Sequence, residues 1–426
     1  MAVQLYESHF VSLPSQTNVY NYTSFELGDG NHKVLVGSLQ GKVTCFEYQA
    51  QQPIATDLPF SYIPTDAEIV AIDAFVRPPN GVLVGITLIK QDGMDRMQFL
   101  NVYGSHTDPK ECFDWTRLVE DFQPCSLDFL PYHLTHAKLK GDMVFLLSGG
   151  DKKVHLYRLY PEDQLNVFRE AENLAEFLPE LCDCDLNTCI MRLDICELDG
   201  IRVTAFGCQD GFLCLTKVEA TTNQVLQKWQ STQLDGPITS LKLFLENTTF
   251  ATGTTEHLYK DQVDQPGKAL LRKWKELHLV IGCAIELAVV YRSVMACGLN
   301  HPMPLPFSDQ FDSVLSVTAA DINWDNKNEL LIGTYGQRVL VYQFQECDKV
   351  IGEDGSANLK EYCLLDKFEL SYPVYCIDYV DLSGDGMKEL TITSLCGIHV
   401  FQHDLDLAKE HCRRRLELLE EHCFPS

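Results

Sequence analysis

The sequence predicts an all-β protein: a seven-bladed β-propeller with a C-terminal α-helix and one helical inter-blade insertion. Three observations support this prediction. One hairpin pattern recurs along the chain, its copies are spaced at the scale of a propeller blade, and 426 residues suffice for one large repeat architecture. Hydrophobic residues make up 45 % and charged residues 22 % of the chain, which is ordinary for a globular protein and excludes disorder as its main state.

The recurring unit is a β-branched run that ends near a small residue, then a polar turn, then a second alternating run. The small residues of the seven copies are Gly37, Gly85, Gly149, Gly207, Gly282, Gly333 and Thr393. Their successive differences are 48, 64, 58, 75, 51 and 60 residues, and a four-stranded blade takes about 40–60 residues. The first run is apolar on both faces, so neighbouring blades must cover it. Glycine suits a place where blades crowd together.

The two chain ends predict how the ring closes. The stretch Leu5–Leu13 lies outside the first hairpin, and the seventh hairpin ends near Phe401 with no further strand after it. We therefore expect residues 1–403 to form the propeller, with the N-terminal strand completing the last blade. A chain of two all-β domains is the alternative.

Two segments interrupt the repeat. Residues 161–181 have helical periodicity and are predicted to be the inter-blade insertion; the periodic apolar residues are Leu165, Phe168, Leu174, Phe177 and Leu178. Residues 252–268 are polar and contain Gly and Pro, so we expect a long mobile loop.

Residues 404–426 are predicted to form an amphipathic helix, which Asp404 can cap. Apolar positions recur at helical spacing and form a seam. The seam, which is the candidate partner-binding site, consists of Leu405, Ala408, Cys412, Leu416 and Leu419. It either packs on the propeller or docks another protein, and both interpretations stay open.

Two turns before the sixth and seventh hairpins resemble the calcium loops of FG-GAP repeats in propellers of the integrin-α type. Oxygen-bearing side chains at alternate positions, followed by a carboxylate, can wrap a hard cation. The positions are Asp321, Asn323, Asp325 and Glu329 in one turn and Asp381, Ser383, Asp385 and Glu389 in the other. Each copy lacks one early carboxylate, so we favour a metal-free turn in which Asp side chains accept backbone N–H bonds.

Composition limits the function classes. The net charge is −26, which is unfavourable for nucleic acid or an anionic membrane and favours protein partners. The 17 cysteines have no framework spacing and sit in apolar runs, as free thiols do in a reducing compartment. No signal peptide or apolar run of membrane length is evident, so we expect a cytoplasmic protein without membrane insertion. Phosphate-loop, zinc-protease and nucleophile-elbow motifs are absent, so we predict neither enzyme activity nor a cofactor.

Short segments in order along nearly the whole chain resemble the kaptin family. They include residues 15–20 (SQTNVY), 62–75 (YIPTDAEIVAIDAF), 145–151 (FLLSGGD), 207–211 (GCQDG), 308–315 (SDQFDSVL) and 333–337 (GTYGQ). Each match is short, but the ordered set is specific. The divergence between the matches indicates a distant relative.

The resemblance implies a scaffold. Kaptin-like proteins are subunits of the KICSTOR assembly, where they pair with a second FG-GAP propeller subunit and an SZT-two-like large subunit. That assembly holds the GATOR complex, which activates Rag GTPase hydrolysis, at the lysosome and restrains the mTOR kinase complex when amino acids or glucose are scarce. The resemblance also implies an alternative: association with actin filaments at lamellipodia or stereocilia. Arg413–Arg415, the one run of three consecutive basic residues, is the candidate for such a contact.

Overall fold

The structure, a computed structural model, describes residues 5–27, 30, 32–49, 52–77, 81–104, 114–160, 167–182, 187–198, 200–231, 234–246, 277–350, 356–410, 412–413 and 416. Seven four-stranded antiparallel sheets form from these residues. This arrangement confirms the predicted seven-bladed β-propeller.

The strands of the first four blades follow the sequence from the innermost to the outermost position. The first blade consists of β2 (Tyr22–Glu26), β3 (His32–Ser38), β4 (Lys42–Gln49) and β5 (Gln52–Leu58), and the second of β6 (Ala67–Arg77), β7 (Gly81–Asp92), β8 (Asp95–Gly104) and β9 (Phe122–Leu127). The third consists of β10 (Pro131–Leu139), β11 (Asp142–Gly149), β12 (Val154–Tyr160) and β13 (Val167–Glu170), and the fourth of β14 (Ile190–Leu198), β15 (Ile201–Cys208), β16 (Leu213–Glu219) and β17 (Gln224–Gln230).

The fifth and sixth blades follow the same order, and the seventh takes its outermost strand from the N-terminus. The fifth blade consists of β18 (Ile238–Leu245), β19 (Leu277–Cys283), β20 (Val289–Tyr291) and β21 (Pro302–Pro304). The sixth consists of β22 (Val314–Ala320), β23 (Glu329–Thr334), β24 (Arg338–Val350) and β25 (Ser356–Glu369). The seventh consists of β26 (Val374–Val380), β27 (Glu389–Ser394), β28 (Gly397–His403) and β1 (Leu5–Ser12). Short helices span Trp115–Glu120, Pro179–Cys182 and Val294–Cys297, and a 3₁₀ turn spans Leu174–Glu176.

The core lies between the blades. The second strands β19, β23 and β27 are buried along their whole length, because each packs on both faces. One apolar cluster, for example, joins Val34 and Phe46 of the first blade to Ile398 and Val400 of the seventh.

The recurring glycines sit inside the second strands at points of close approach between blades. A Cβ atom added at Gly207 would lie 2.4 Å from the side chain of Ile238 in the next blade. At Gly333 it would lie 2.5 Å from Val374, which again begins the first strand of the next blade. Glycine is therefore needed at these two positions because the next blade leaves no room for a Cβ atom, and not because the chain turns there.

The ring closes through the N-terminal strand. β1 pairs antiparallel with β28 from Leu5 opposite His403 to Ser12 opposite Gly397. Between the first and seventh blades, Tyr22 and Ser24 donate hydrogen bonds to Asp378 at 3.0 and 2.7 Å. The His32 N–H also donates to the Asp381 carbonyl at 2.9 Å. The first and seventh blades are thus joined by both backbone and side chains.

The insertion is helical only in its second half. Val167–Glu170 is the outer strand of the third blade, and helical turns begin at Leu174. The Gln123 amide explains the strand, since it donates to the Phe168 carbonyl at 2.6 Å and accepts from the Phe168 N–H at 2.7 Å. These bonds hold the backbone extended. Residues 161–166, and the predicted mobile loop 252–268, lie outside the described residues.

The propeller has two ends that differ in their connections. The end that we call the linker end carries the links between blades and the turns between second and third strands. The other, the helix end, carries the remaining turns, and β28 finishes there because it is a third strand. The C-terminal helix therefore begins at the helix end.

Candidate partner-binding site

The C-terminal helix starts directly after the last strand of the seventh blade. Residues 405–410 are helical, and so are Cys412, Arg413 and Leu416. Asp404 caps this start, because its Oδ1 accepts hydrogen bonds from the N–H groups of Asp406 at 2.8 Å and Leu407 at 3.1 Å.

The apolar seam of this helix is mostly uncovered. Leu405 is 54 % exposed and Leu416 is 60 % exposed, and Cys412 is exposed as well. Ala408 alone among the described seam positions is buried, at 5 % exposure; Leu419 lies outside the described residues. One position of the described seam is therefore covered, and two of its leucines are exposed.

A cleft of about 220 Å³ lies beside the start of the helix. Leu405 lines it together with Tyr6, Tyr48, Met387 and His403. Tyr6 is itself exposed, so the apolar surface of the helix continues onto β1. This neighbourhood could not be predicted from the sequence, because Tyr6 comes from the opposite end of the chain.

The turn before β27 also borders this cleft, and its carboxylates bind their own backbone. The two carboxylate oxygens of Asp381 accept from the N–H groups of Gly384 and Gly386, at 2.7 and 2.8 Å. Asp385 accepts from the Met387 N–H at 2.8 Å. Ser383 lies in the same turn and lines the cleft.

The turn before β23 repeats this pattern in the sixth blade. Asp321 accepts from the Asn326 N–H at 2.9 Å, Asn323 from the Asp325 N–H at 2.8 Å, and Asp325 from the Lys327 N–H at 2.8 Å. In each of these contacts a side-chain oxygen accepts a backbone N–H bond and so holds a tight turn.

A buried glutamate ends each turn. Glu329 accepts from the Ile322 N–H at 3.0 Å, and Glu389 accepts from the Leu382 N–H at 2.8 Å. Burial raises the pKa of both carboxyl groups, and it raises the pKa of Glu329 to about 7. Within the described residues, no group of three His, Cys, Asp or Glu side chains is arranged to hold a metal ion.

The central channel is the second place where polar side chains converge. It encloses about 270 Å³ and is lined by the first strands of all seven blades. Two pairs of opposite charge adjoin it: His136 Nδ1 lies 2.8 Å from Asp73, and Lys242 Nζ lies 3.6 Å from Asp194.

Arg192 ties three blades together beside this channel. Its guanidinium donates to the carbonyls of Thr239 at 2.8 Å and Val19 at 2.9 Å, and it lies over the Tyr20 ring. Burial and the nearby Arg192 charge lower the pKa of His133, which therefore stays neutral. The channel groups thus stabilise the ring. The sequence does not indicate that His133 and Arg192 are neighbours, because they are distant in the chain and only the fold brings them together.

No helix in the described ranges combines the length and hydropathy that crossing a bilayer requires. The helix end is the candidate surface for a protein partner, because Leu405 and Leu416 are exposed there beside the cleft.

Comparison with known families gives a match over almost the whole chain. Residues 5–413 match the family described as KICSTOR complex protein kaptin. The mouse (Mus musculus) protein of that description is 36 % identical over 426 residues, covering 97 % of this chain and 91 % of the mouse protein.

Solved structures support the fold. The structure of BBS1N in complex with ARL6DN aligns with a TM-score of 0.55 at 12 % identity, covering 95 % of this chain and 98 % of that chain. The β-propeller domain of Cps50 (Swd1) from Myceliophteria thermophila aligns with a TM-score of 0.53 at 11 % identity, covering 94 % and 100 %. At such identities the likeness concerns the propeller alone.

Proposed function

The chain belongs to the kaptin family, and we propose that it acts as a non-catalytic scaffold subunit of the KICSTOR assembly. The observation that carries this proposal is the family match over residues 5–413, which spans all seven blades and reaches into the C-terminal helix. In this role the protein helps to hold the GATOR complex at the lysosome, and so restrains mTOR complex signalling when amino acids or glucose are scarce.

The helix end supplies the contact in this proposal. Leu405 and Leu416 are large, apolar and exposed on one helix, and apolar side chains at helical spacing dock into grooves of partner proteins. Tyr6 and Met387 beside the cleft add apolar area. The partner is the second FG-GAP propeller subunit or the SZT-two-like large subunit.

Affinity purification of the tagged full-length chain tests the proposal. The comparison is a chain that ends at His403, which keeps all seven blades and lacks the helix. We expect the full chain to recover the second propeller subunit, the SZT-two-like subunit and GATOR subunits. The shortened chain should lose at least the direct partner of the helix.

Point variants separate the helix contact from general damage. Leu405→Asp combined with Leu416→Asp should reduce partner recovery while the thermal midpoint of the propeller stays unchanged, because both side chains are exposed. Leu226→Asp is the matched control, since Leu226 is an exposed leucine on the outer strand of the fourth blade. Equal recovery with the double variant would overturn the helix contact. Recovery of actin without KICSTOR or GATOR subunits would overturn the scaffold function.

A further inference from the structure

The linker end of blades five to seven has an unusual charge distribution. The described residues of its connections are 231, 234–237, 284–288, 305–313, 335–337, 370–373 and 395–396. These segments contain no Lys, Arg or His, and they contain four carboxylates: Asp235, Glu286, Asp309 and Asp312. The corresponding turn of the third blade differs, because it carries Lys152 and Lys153.

Large apolar side chains project from the same connections. Ile285 is 70 % exposed and Tyr335 is 51 % exposed; Phe307 and Tyr372 are exposed as well. Isolated exposed apolar residues are common, but several on adjoining loops are typical of interaction sites. Together with the four carboxylates, these four residues form what we call the acidic aromatic surface.

Hydrogen bonds between neighbouring loops make this surface continuous. The Ser313 hydroxyl donates to the Ala284 carbonyl at 2.8 Å, and the Tyr335 N–H donates to the Ser313 carbonyl at 2.8 Å. The loops that carry Ile285 and Tyr335 are therefore joined through the link between the fifth and sixth blades.

The surface continues across the seventh blade to the rim of the propeller. The Leu395 N–H donates to the Pro373 carbonyl at 3.1 Å. Tyr372 then lines a groove of about 480 Å³ with Phe10, whose ring lies 4.7 Å from that of His399. An extended chain could thus follow the loops outward into the groove.

Two basic side chains lie beside this surface and already have partners. Arg338 forms an ion pair with Glu369 at 2.9 Å and lies over the Phe311 ring. Lys367 also lies over that ring, at 5.4 Å. Arg338 begins the third strand of the sixth blade and Lys367 lies on its fourth strand. Both contacts show that an aromatic ring here accepts a positive charge on its face.

We propose that the acidic aromatic surface binds a segment of another protein in which Lys or Arg side chains alternate with apolar ones. Apolar groups of the segment would cover Ile285, Phe307 and Tyr335, and its cations would face the carboxylates of Asp309 and Asp312. Charge complementarity selects this partner over a second copy of the chain, which would bring the same carboxylates and a net charge of −26. The surface lies at the linker end, so the protein can hold this segment and a helix-end partner at once.

A fluorescein-labelled peptide that repeats Arg, Leu, Lys and Trp is the probe, and a benzophenone group on it reports the contact point. We expect saturable binding to the full-length chain by fluorescence anisotropy, with affinity falling as salt rises. Photo-crosslinks should map to residues 284–288, 305–313 and 335–337. The same peptide with Glu in place of the basic residues should not bind, because like charges oppose docking.

Two pairs of substitutions at exposed positions locate the site. Ile285→Ser with Tyr335→Ser should weaken binding at least about fivefold, as truncation of central apolar contacts does. Asp309→Asn with Asp312→Asn should weaken it and flatten its salt dependence. The matched control for charge is Asp92→Asn with Asp95→Asn, at the exposed tip of the second blade.

Three results would overturn the proposal. They are equal loss of affinity in the control pair, crosslinks that map to the helix end, and sedimentation of the chain alone as a dimer that the Ser pair abolishes. The last outcome would make the surface a contact between copies. None of these results depends on the KICSTOR role, so the two proposals can fail separately.

Discussion

Arg202 donates two parallel hydrogen bonds to Glu180, from Nε to Oε1 and from Nη2 to Oε2, each at 3.0 Å. Both side chains are almost completely buried. The Thr204 hydroxyl also donates to Glu180, and Arg202 donates further to Asn223. The pair thus fastens the helix Pro179–Cys182 to the fourth blade.

Substitution Glu180→Gln should lower the free energy of unfolding by about 3–5 kcal/mol, because it leaves the buried Arg202 guanidinium without its counter-charge. Urea unfolding followed by circular dichroism measures the change. The control is Asp142→Asn, which breaks the exposed Arg158–Asp142 pair and should cost less than about 1 kcal/mol. If the two substitutions lower the free energy of unfolding by similar amounts, burial does not increase the contribution of the Arg202–Glu180 pair to stability.

Substitution Gly333→Ala tests the close approach between the sixth and seventh blades. Its new methyl group would lie 2.5 Å from a methyl carbon of Val374, and overpacking of this kind costs about 1–3 kcal/mol. Adding Val374→Ala to the same chain removes the clashing atoms. In thermal unfolding, the double variant should therefore lose less stability than the two single variants lose when their losses are added. Simple additivity of the two losses would argue against the clash.

The blade number could be predicted because the strongest signal is local. A second strand covered on both faces must be apolar throughout, as Glu329–Thr334 nearly is, and a glycine must stand where the next blade touches it. The insertion could not be read in the same way. Its apolar spacing fits a helix, but the Gln123 amide fixes Phe168 in a strand, and Gln123 belongs to another blade.

The candidate site was predictable only in part. The helical spacing from Leu405 to Leu416 and the cap at Asp404 are sequence properties. The exposure of the seam cannot be predicted from the sequence, because it depends on where the seventh blade ends. The eight residues of the acidic aromatic surface come from five short connections, and no single connection carries all of them.

Glu329 should make stability depend on pH. Its pKa is raised to about 7 in the folded protein, mainly by burial, against about 4.3 for an unfolded glutamate. Between these values the folded state binds the proton more tightly, so the free energy of unfolding is highest below the unfolded pKa and falls as pH rises through 7.

Urea unfolding at several pH values between 4.5 and 8 measures this effect, and Glu329→Gln should remove the part of the decline that Glu329 causes. The difference between the two proteins isolates Glu329 from histidines such as His136, whose raised pKa acts in the same direction. Parallel stability curves for the two proteins would contradict the prediction. Asp142→Asn serves as the exposed control and should leave the slope unchanged.

Removal of residues 1–12 should leave the seventh blade without its outermost strand. β28 would lose the partner that pairs with it from Leu5 to Ser12, so its outward N–H and C=O groups would face water as an unpaired edge. We expect a lower thermal midpoint and faster amide exchange in residues 397–403. The side-chain bonds from Tyr22 and Ser24 to Asp378 remain and should keep the first and seventh blades adjacent.

A chain lacking only residues 1–4 is the control, and a synthetic peptide of residues 1–13 should restore protection as its concentration rises. Unchanged exchange in β28 after the longer deletion would show that the closure does not depend on the N-terminal strand.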